Sequence, residues 1–176
     1  MVSCLNKCDL SLAGIAIAPY LSGLSSLLED EMELGVVCID LGAASSSLSI
    51  FFRKNLIFSR SLRIGGQHIT SDIMQAFQIS FLAAERLKVL HGGLLPTNSD
   101  DRETLELPES NTDLFTDRRT ITKSELVGVI RPRVEEIFDS LRSILDQSDF
   151  EVLPGQKIVL TGGGSKLENC LLYTSP

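Results

Sequence analysis

The chain has 176 residues, 43% hydrophobic and 22% charged, with a formal net charge of −7. This composition excludes a disordered chain, and the acidic balance excludes a binder of phosphate backbones, so nucleic acid is not an expected partner. The cysteines (Cys4, Cys8, Cys38, Cys170) and the histidines His68 and His91 lack metal-ligand spacing, which fits no metal and reduced thiols in a cytoplasmic protein.

Met1 to Asp9 reads as the tail of a helix with no visible start, so the chain is expected to be a piece of a longer one. Leu10 to Leu28 carries no charge over 19 residues, long enough for a membrane span. Gly14, Pro19, Gly23 and four serines dilute its apolarity. The expected reading is instead a short strand over Gly14–Ala18, a Pro19-Tyr20 turn and a helix from about Ser22 to Asp30. The acidic run 29–33 is expected to be a solvated connector.

Strands are predicted at Val36–Ile39, Ser47–Phe52 and Leu56–Ile64. The second alternates Leu48, Ile50 and Phe52 against Ser47, Ser49 and Phe51, as a half-buried strand does. Arg53-Lys54-Asn55 would make the hairpin turn, and Gly65-Gly66 ends the third strand. Ile69, Ile73 and Phe77 then fall on one helical face. A second helix spans Ser80–Leu90 and stops at Gly92-Gly93. Residues 94–119 are polar, hold Pro96 and Pro108, and offer only Thr104–Leu107 as a strand. Thr122 and Glu125 form a capping box for the longest helix. Its stripe is Leu126, Ile130, Val134, Ile137, Leu141 and Leu145, and Pro132 predicts a kink or two abutting helices. Pro154-Gly155 would turn into a last strand over Ile158–Leu160.

Two turns carry the chemistry, about 120 residues apart. In the first, Asp40 ends a strand just before Gly42-Ala43-Ala44-Ser45-Ser46. The amides of residues 42–46 suit phosphate oxygens, and Asp40 suits water-mediated Mg²⁺ or orientation of an attacking water. The bland alternative is an Asp that caps a turn. In the second, Thr161-Gly162-Gly163-Gly164 would let a base or ribose lie flat, or it is a tight turn with Ser165 as helix cap. Neither is a Walker loop or a Gly-x-Gly-x-x-Gly turn. Glu85 and Lys88 share a helical face: Glu85 could accept from ribose hydroxyls while the Lys88 stem covers a base, or the two form a surface ion pair. His68 and His91 read as structural. Arg131 and Arg133, cationic in an acidic chain, are candidates for an acidic partner peptide.

Five ordered stretches, Ser22–Gly42, Gly65–Ile73, Ala84–Gly92, Val129–Glu136 and Ile158–Gly164, resemble the FtsA family of bacterial cell-division proteins, within the actin-like ATPases. The resemblance covers nearly the whole chain. It implies an α/β fold: an actin-like (ribonuclease H-like) half with a mixed sheet flanked by helices, plus a small α+β subdomain insertion. The implied domains are 1–34 (end of a first half), 35–73 (core of the second), 74–125 (inserted subdomain) and 126–176 (return to the core). It further implies ATP with Mg²⁺ as cofactors. Asp40 would be the catalytic residue. The nucleotide would be held by Gly42, Ala43, Ala44, Ser45, Ser46, Glu85, Lys88, Gly162, Gly163 and Gly164, with weak or no turnover. Implied partners are the C-terminal peptide of FtsZ, met here by Arg131 and Arg133, further copies in filaments, and other division proteins. A membrane helix following this chain would place it at the inner face of the cell membrane, at the division site. The alternative is another enzyme of the same fold, a chaperone ATPase or sugar kinase. The phosphate turn departs from the family's Asp-x-Gly-Gly-Gly-Thr: Ala43 and Ala44 add methyl groups that restrict positive φ and narrow the approach. The first phosphate loop of the family is absent from this sequence.

Overall fold

The computed structural model describes residues 2–95, 101–107, 119–148, 150 and 157–171. A four-stranded mixed sheet is built from β1 (Val36–Leu41), β2 (Ser46–Phe52), β3 (Asn55–Leu62) and, last in the chain, β6 (Ile158–Thr161). The strand order is β3-β2-β1-β6. β1 runs antiparallel to β2 and parallel to β6, with Val37 opposite Ile158 and Asp40 opposite Thr161. Parallel pairing brings the ends of β1 and β6, and so the two turns, to one edge of the sheet.

Side chains along β1 alternate between two cores. Val37, Ile39 and Leu41 join Leu48 and Ile50 in the larger one, whereas Val36 and Cys38 meet Leu27, Met32 and Phe51 on the other face. With both faces covered, β2 is buried at every position except Phe52, not half-buried as its alternation predicts. Phe52 lies beyond a register irregularity at Ile50/Phe51 and is exposed. Burial pushes the Cys38 thiol up to about 11, so it stays protonated at neutral pH.

The N-terminal region differs most from expectation. After α1 (Val2–Asn6), residues 10–17 are exposed and form no strand. The helix begins early, as α2 (Ala18–Ser26), because Pro19 suits a first turn whose N–H groups have no helical acceptor. α2 rides directly on Phe51: a Cβ on Gly23 would meet that ring, and Tyr20 stacks on it with centroids 6.2 Å apart. The acidic run is not a connector but α3 (Glu29–Leu34). Its carboxylates sit at the positive end of the helix, and Glu31 accepts the Leu28 N–H at 3.0 Å. The hairpin turn is Arg53-Lys54, both left-handed (φ 50° and 62°), and their amides donate to the carbonyls of Glu33 and Met32 at the end of α3. Those bonds offset a conformation usually left to Asn-Gly. Among the described residues no helix is long and apolar enough to cross a membrane.

Three helices cover the larger core: α4 (Gly66–Phe77), α5 (Phe81–His91) and α6 (Lys123–Asp146). α6 opens on the expected capping box, the Thr122 hydroxyl accepting from Glu125 N–H at 3.1 Å and the Glu125 carboxylate from Thr122 N–H at 2.8 Å. It continues through Pro132 as one helix rather than two. The missing N–H costs one bond, and the buried stripe from Leu126 to Leu141 outweighs it. A two-stranded sheet of β4 (Thr104–Glu106) and β5 (Thr120–Thr122) places Leu105 and Ile121 in the same core. The expected turn at Pro154-Gly155 lies outside the described residues.

Candidate functional site

A cleft of about 340 Å³ opens where β1 and β6 end. Gly42 and Ala43 line it from one side, Gly163, Gly164 and Lys166 from another, and Glu85, Lys88 and Val89 of α5 close it. This size falls within the range of small-molecule sites. The first turn, the second turn and α5 therefore share one cavity.

The first turn is held by its own backbone. Gly42 N–H donates to Ser45 C=O at 3.1 Å, and the first amides of α4 dock onto it, Gly66 N–H to Gly42 C=O at 2.9 Å and Gln67 N–H to Ala43 C=O at 2.8 Å. Gly65 is needed here, since a Cβ would lie 2.5 Å from the Gly42 carbonyl oxygen. Neither Ala43 nor Ala44 has positive φ, so the expected conformational restriction does not arise. Their amides donate to no protein acceptor among the described residues. Ala44 and Ser45 are exposed at the tip, outside the cleft lining, while Ser46 is buried and its hydroxyl donates to Ile64 C=O at 2.7 Å.

Asp40 stands between the turns. The Ser22 hydroxyl donates to its Oδ2 at 2.5 Å, and a Cβ on Gly162 would strike its Oδ1. One turn further along α2, the Ser26 hydroxyl donates to Thr161 Oγ1 at 3.1 Å. In the sequence these serines read only as polar dilution, although their i, i+4 spacing puts both on one face. Gly162 takes φ 84°, Gly164 packs on Leu41, and a Cβ on Gly163 would meet open space. Ser165 is not a helix cap: its hydroxyl donates back to Gly162 C=O at 2.8 Å, beside a short 3₁₀ turn over Gly163–Lys166.

On α5, Lys88 Nζ donates to Glu85 Oε2 at 2.7 Å, to Thr70 Oγ1 at 2.7 Å and to Gly66 C=O at 3.0 Å. Burial pushes the Glu85 carboxyl up, but the hydrogen bonds from Lys88 and Thr70 and the charge of Lys88 outweigh it and hold it below its ordinary value. Thr70 and Lys166 are site residues that the sequence reading missed; Thr70 was legible only as the polar residue between Ile69 and Ile73. On α5, Leu87 is buried, whereas Leu90 is 60% exposed. His68 Nδ1 accepts the Gly65 N–H at 3.1 Å, a structural role at the start of α4.

Arg131 and Arg133 lie on α6, away from the cleft lining. Arg133 makes a two-pronged pair with Asp72 of α4, at 2.7 and 3.0 Å, and also meets Glu136. Asp72 first, then Glu136, raises its already high pKa. Arg131 pairs with Glu135 at 2.8 Å.

The family model described as Cell division protein FtsA matches residues 37–175. The chain belongs to the FtsA family. It is 35% identical over 164 residues to Cell division protein FtsA of Rhizobium meliloti, covering 93% of this chain and 37% of that protein. The Pseudomonas aeruginosa protein of that name is 31% identical over 170 residues, covering 96% of this chain and 40% of the relative. The chain thus spans about two fifths of the curated relatives it matches. Among solved structures, ADP-bound MreB5 of Spiroplasma citri is similar with TM-score 0.78 and 19% identity, covering 97% of this chain and 54% of that one. A PilM–PilN type IV pilus biogenesis complex aligns with TM-score 0.65 and 22% identity, covering 96% and 41%. The fold is that of the actin-like ATPases, with a mixed sheet flanked by helices as expected.

Proposed function

We propose that this FtsA-family chain supplies a nucleotide-binding half of a cell-division adaptor, taking ATP with Mg²⁺ between its two turns. The carrying observation is the convergence of Gly42–Ala43, Gly163–Gly164 and Glu85 on one cleft. The residues present fit a nucleotide. The undonated amides of Ala43 and Ala44 are offered to phosphate oxygens, and the apolar Ile69, Val89 and Leu167 give a base a surface to lie on. Asp40, which ends β1 just before the first turn but does not itself line the cleft, would hold Mg²⁺ through water, since Ser22 already occupies one of its oxygens. Magnesium, when bound, neutralises phosphate charge; the chain's own groups bind and orient the nucleotide. Similarity to MreB5 of Spiroplasma citri, solved with ADP and with AMPPNP, supports this reading.

The adaptor function we propose is recruitment of FtsZ, through its C-terminal peptide, to the inner face of the cell membrane, together with self-association and contacts to other division proteins. Arg131 and Arg133 are the proposed peptide contacts. Because Arg133 is committed to Asp72, an acidic peptide would gain more from Arg131, the more exposed of the two. Isothermal titration of the chain with MgATP tests the nucleotide reading: saturable one-to-one binding is expected, and its loss in Gly163→Val locates it. Heat that does not saturate, or binding untouched by Gly163→Val, overturns it.

A further inference from the structure

The ammonium group of Lys88 carries three N–H donors, and all three are engaged within the protein, by Gly66 C=O, Thr70 Oγ1 and Glu85 Oε2. None remains for a ligand. Thr70 is fully buried, and its Oγ1 lies 2.5 Å from Glu85 Oε2 and 3.0 Å from Gly66 C=O, which directs its single hydroxyl proton to the carboxylate. Glu85 Oε2 therefore accepts twice, whereas Oε1 has no protein donor among the described residues. Gly66 in turn donates to Gly42 C=O, so an unbroken run of hydrogen bonds links the phosphate-side turn to Glu85.

We propose that Thr70 and Lys88 are positioning residues that fix Glu85 with one oxygen facing the cleft and tie it to the first turn, a role that rests on the nucleotide reading above. Glu85, already expected from the resemblance to meet the nucleoside, then discriminates paired hydroxyls, such as those of a ribose, only while Thr70 and Lys88 hold it. Lys88 acts through Glu85 and Gly66 and supplies no counter-charge to phosphate.

The test is calorimetric titration of the 176-residue chain with MgATP and with the magnesium complex of 2′,3′-dideoxy-ATP, each at low and high salt. The wild-type chain is expected to favour ATP by about tenfold, the size of hydrogen bonds to a charged acceptor. Thr70→Val and Lys88→Met should each reduce that preference to about twofold or less, and Thr70→Ser should restore it. If Thr70→Val does not fold, Lys88→Met and Thr70→Ser carry the comparison. The salt dependence of ATP affinity should be the same in Lys88→Met as in wild type, because no contact between ammonium and phosphate is lost. Several results overturn the proposal. They are a preference unchanged in both variants, a shallower salt dependence in Lys88→Met, or equal binding of the two ligands by the wild-type chain. Failure of the wild-type chain to bind MgATP removes the nucleotide reading and this role with it, an outcome distinct from intact binding with unchanged preference.

Discussion

The two turns at the sheet edge look alike in sequence, each a run of small residues after a strand, yet different forces require their small residues. At residues 42–46 the close approaches are within the protein: Gly42 against Ser45, and Gly65 against the turn's carbonyls. No residue there needs positive φ, and alanine is accommodated at 43 and 44. At residues 161–164 the glycines divide by role. Gly162 is demanded by φ 84° and by the Asp40 carboxylate, Gly164 by Leu41, and only Gly163 faces open space. A small residue can thus serve conformation, packing or a ligand, and only surrounding atoms distinguish these.

The sharpest break of this comparison is Gly162→Ala. A left-handed alanine whose Cβ meets Asp40 and the Leu41 carbonyl should lose roughly 2–4 kcal/mol in urea unfolding. Gly163→Ala should stay within about 0.5 kcal/mol of wild type, yet weaken MgATP binding. Equal destabilisation by the two changes would erase the assigned difference. A smaller effect is expected in the first turn: Ala43→Gly and Ala44→Gly should cost about 0.5–1 kcal/mol through chain entropy, with no gain in ATP affinity. A marked gain would show that the methyl groups obstruct the phosphate.

The network on α5 gives a pH dependence of its own. Because the Glu85 carboxyl is held below its ordinary 4.5 in the folded chain, its contribution is fully present above pH 4.5. As pH falls below that value, the unfolded chain takes up the proton first, and the stability is lost. Glu85→Gln should therefore lower stability at neutral pH and flatten the acid limb of the stability–pH curve below about pH 4.5, so that the two curves converge as pH falls. An identical acid limb in both proteins would show the carboxyl to be uncoupled from Lys88.

Much of the sheet and the site edge was legible because it rests on local rules. The apolar run before Asp40, the hairpin, the helix starting at Ser80, the Thr122 cap and the α6 stripe are each short-range patterns. The failures are where long-range contacts decide. Residues 14–18 read as a strand, yet 14–17 pair with no strand among the described residues and Ala18 opens α2. The acidic run became α3 because Met32 is buried in the second core and the hairpin tip docks on its end. Glu85 and Lys88 were legible as a pair at i, i+3 spacing. Thr70 and Gly66, which saturate Lys88, come from another helix, and no spacing rule reaches across that gap.

The central claim is that both turns and α5 serve one ligand, and amide NMR of the isotope-labelled chain titrated with MgATP tests it most directly. The account predicts that the amide signals of Ala43, Ala44, Gly163 and Val89 shift together along one saturation curve. It is contradicted if the first turn and the second titrate with different midpoints, or if the saturable shifts fall outside these residues.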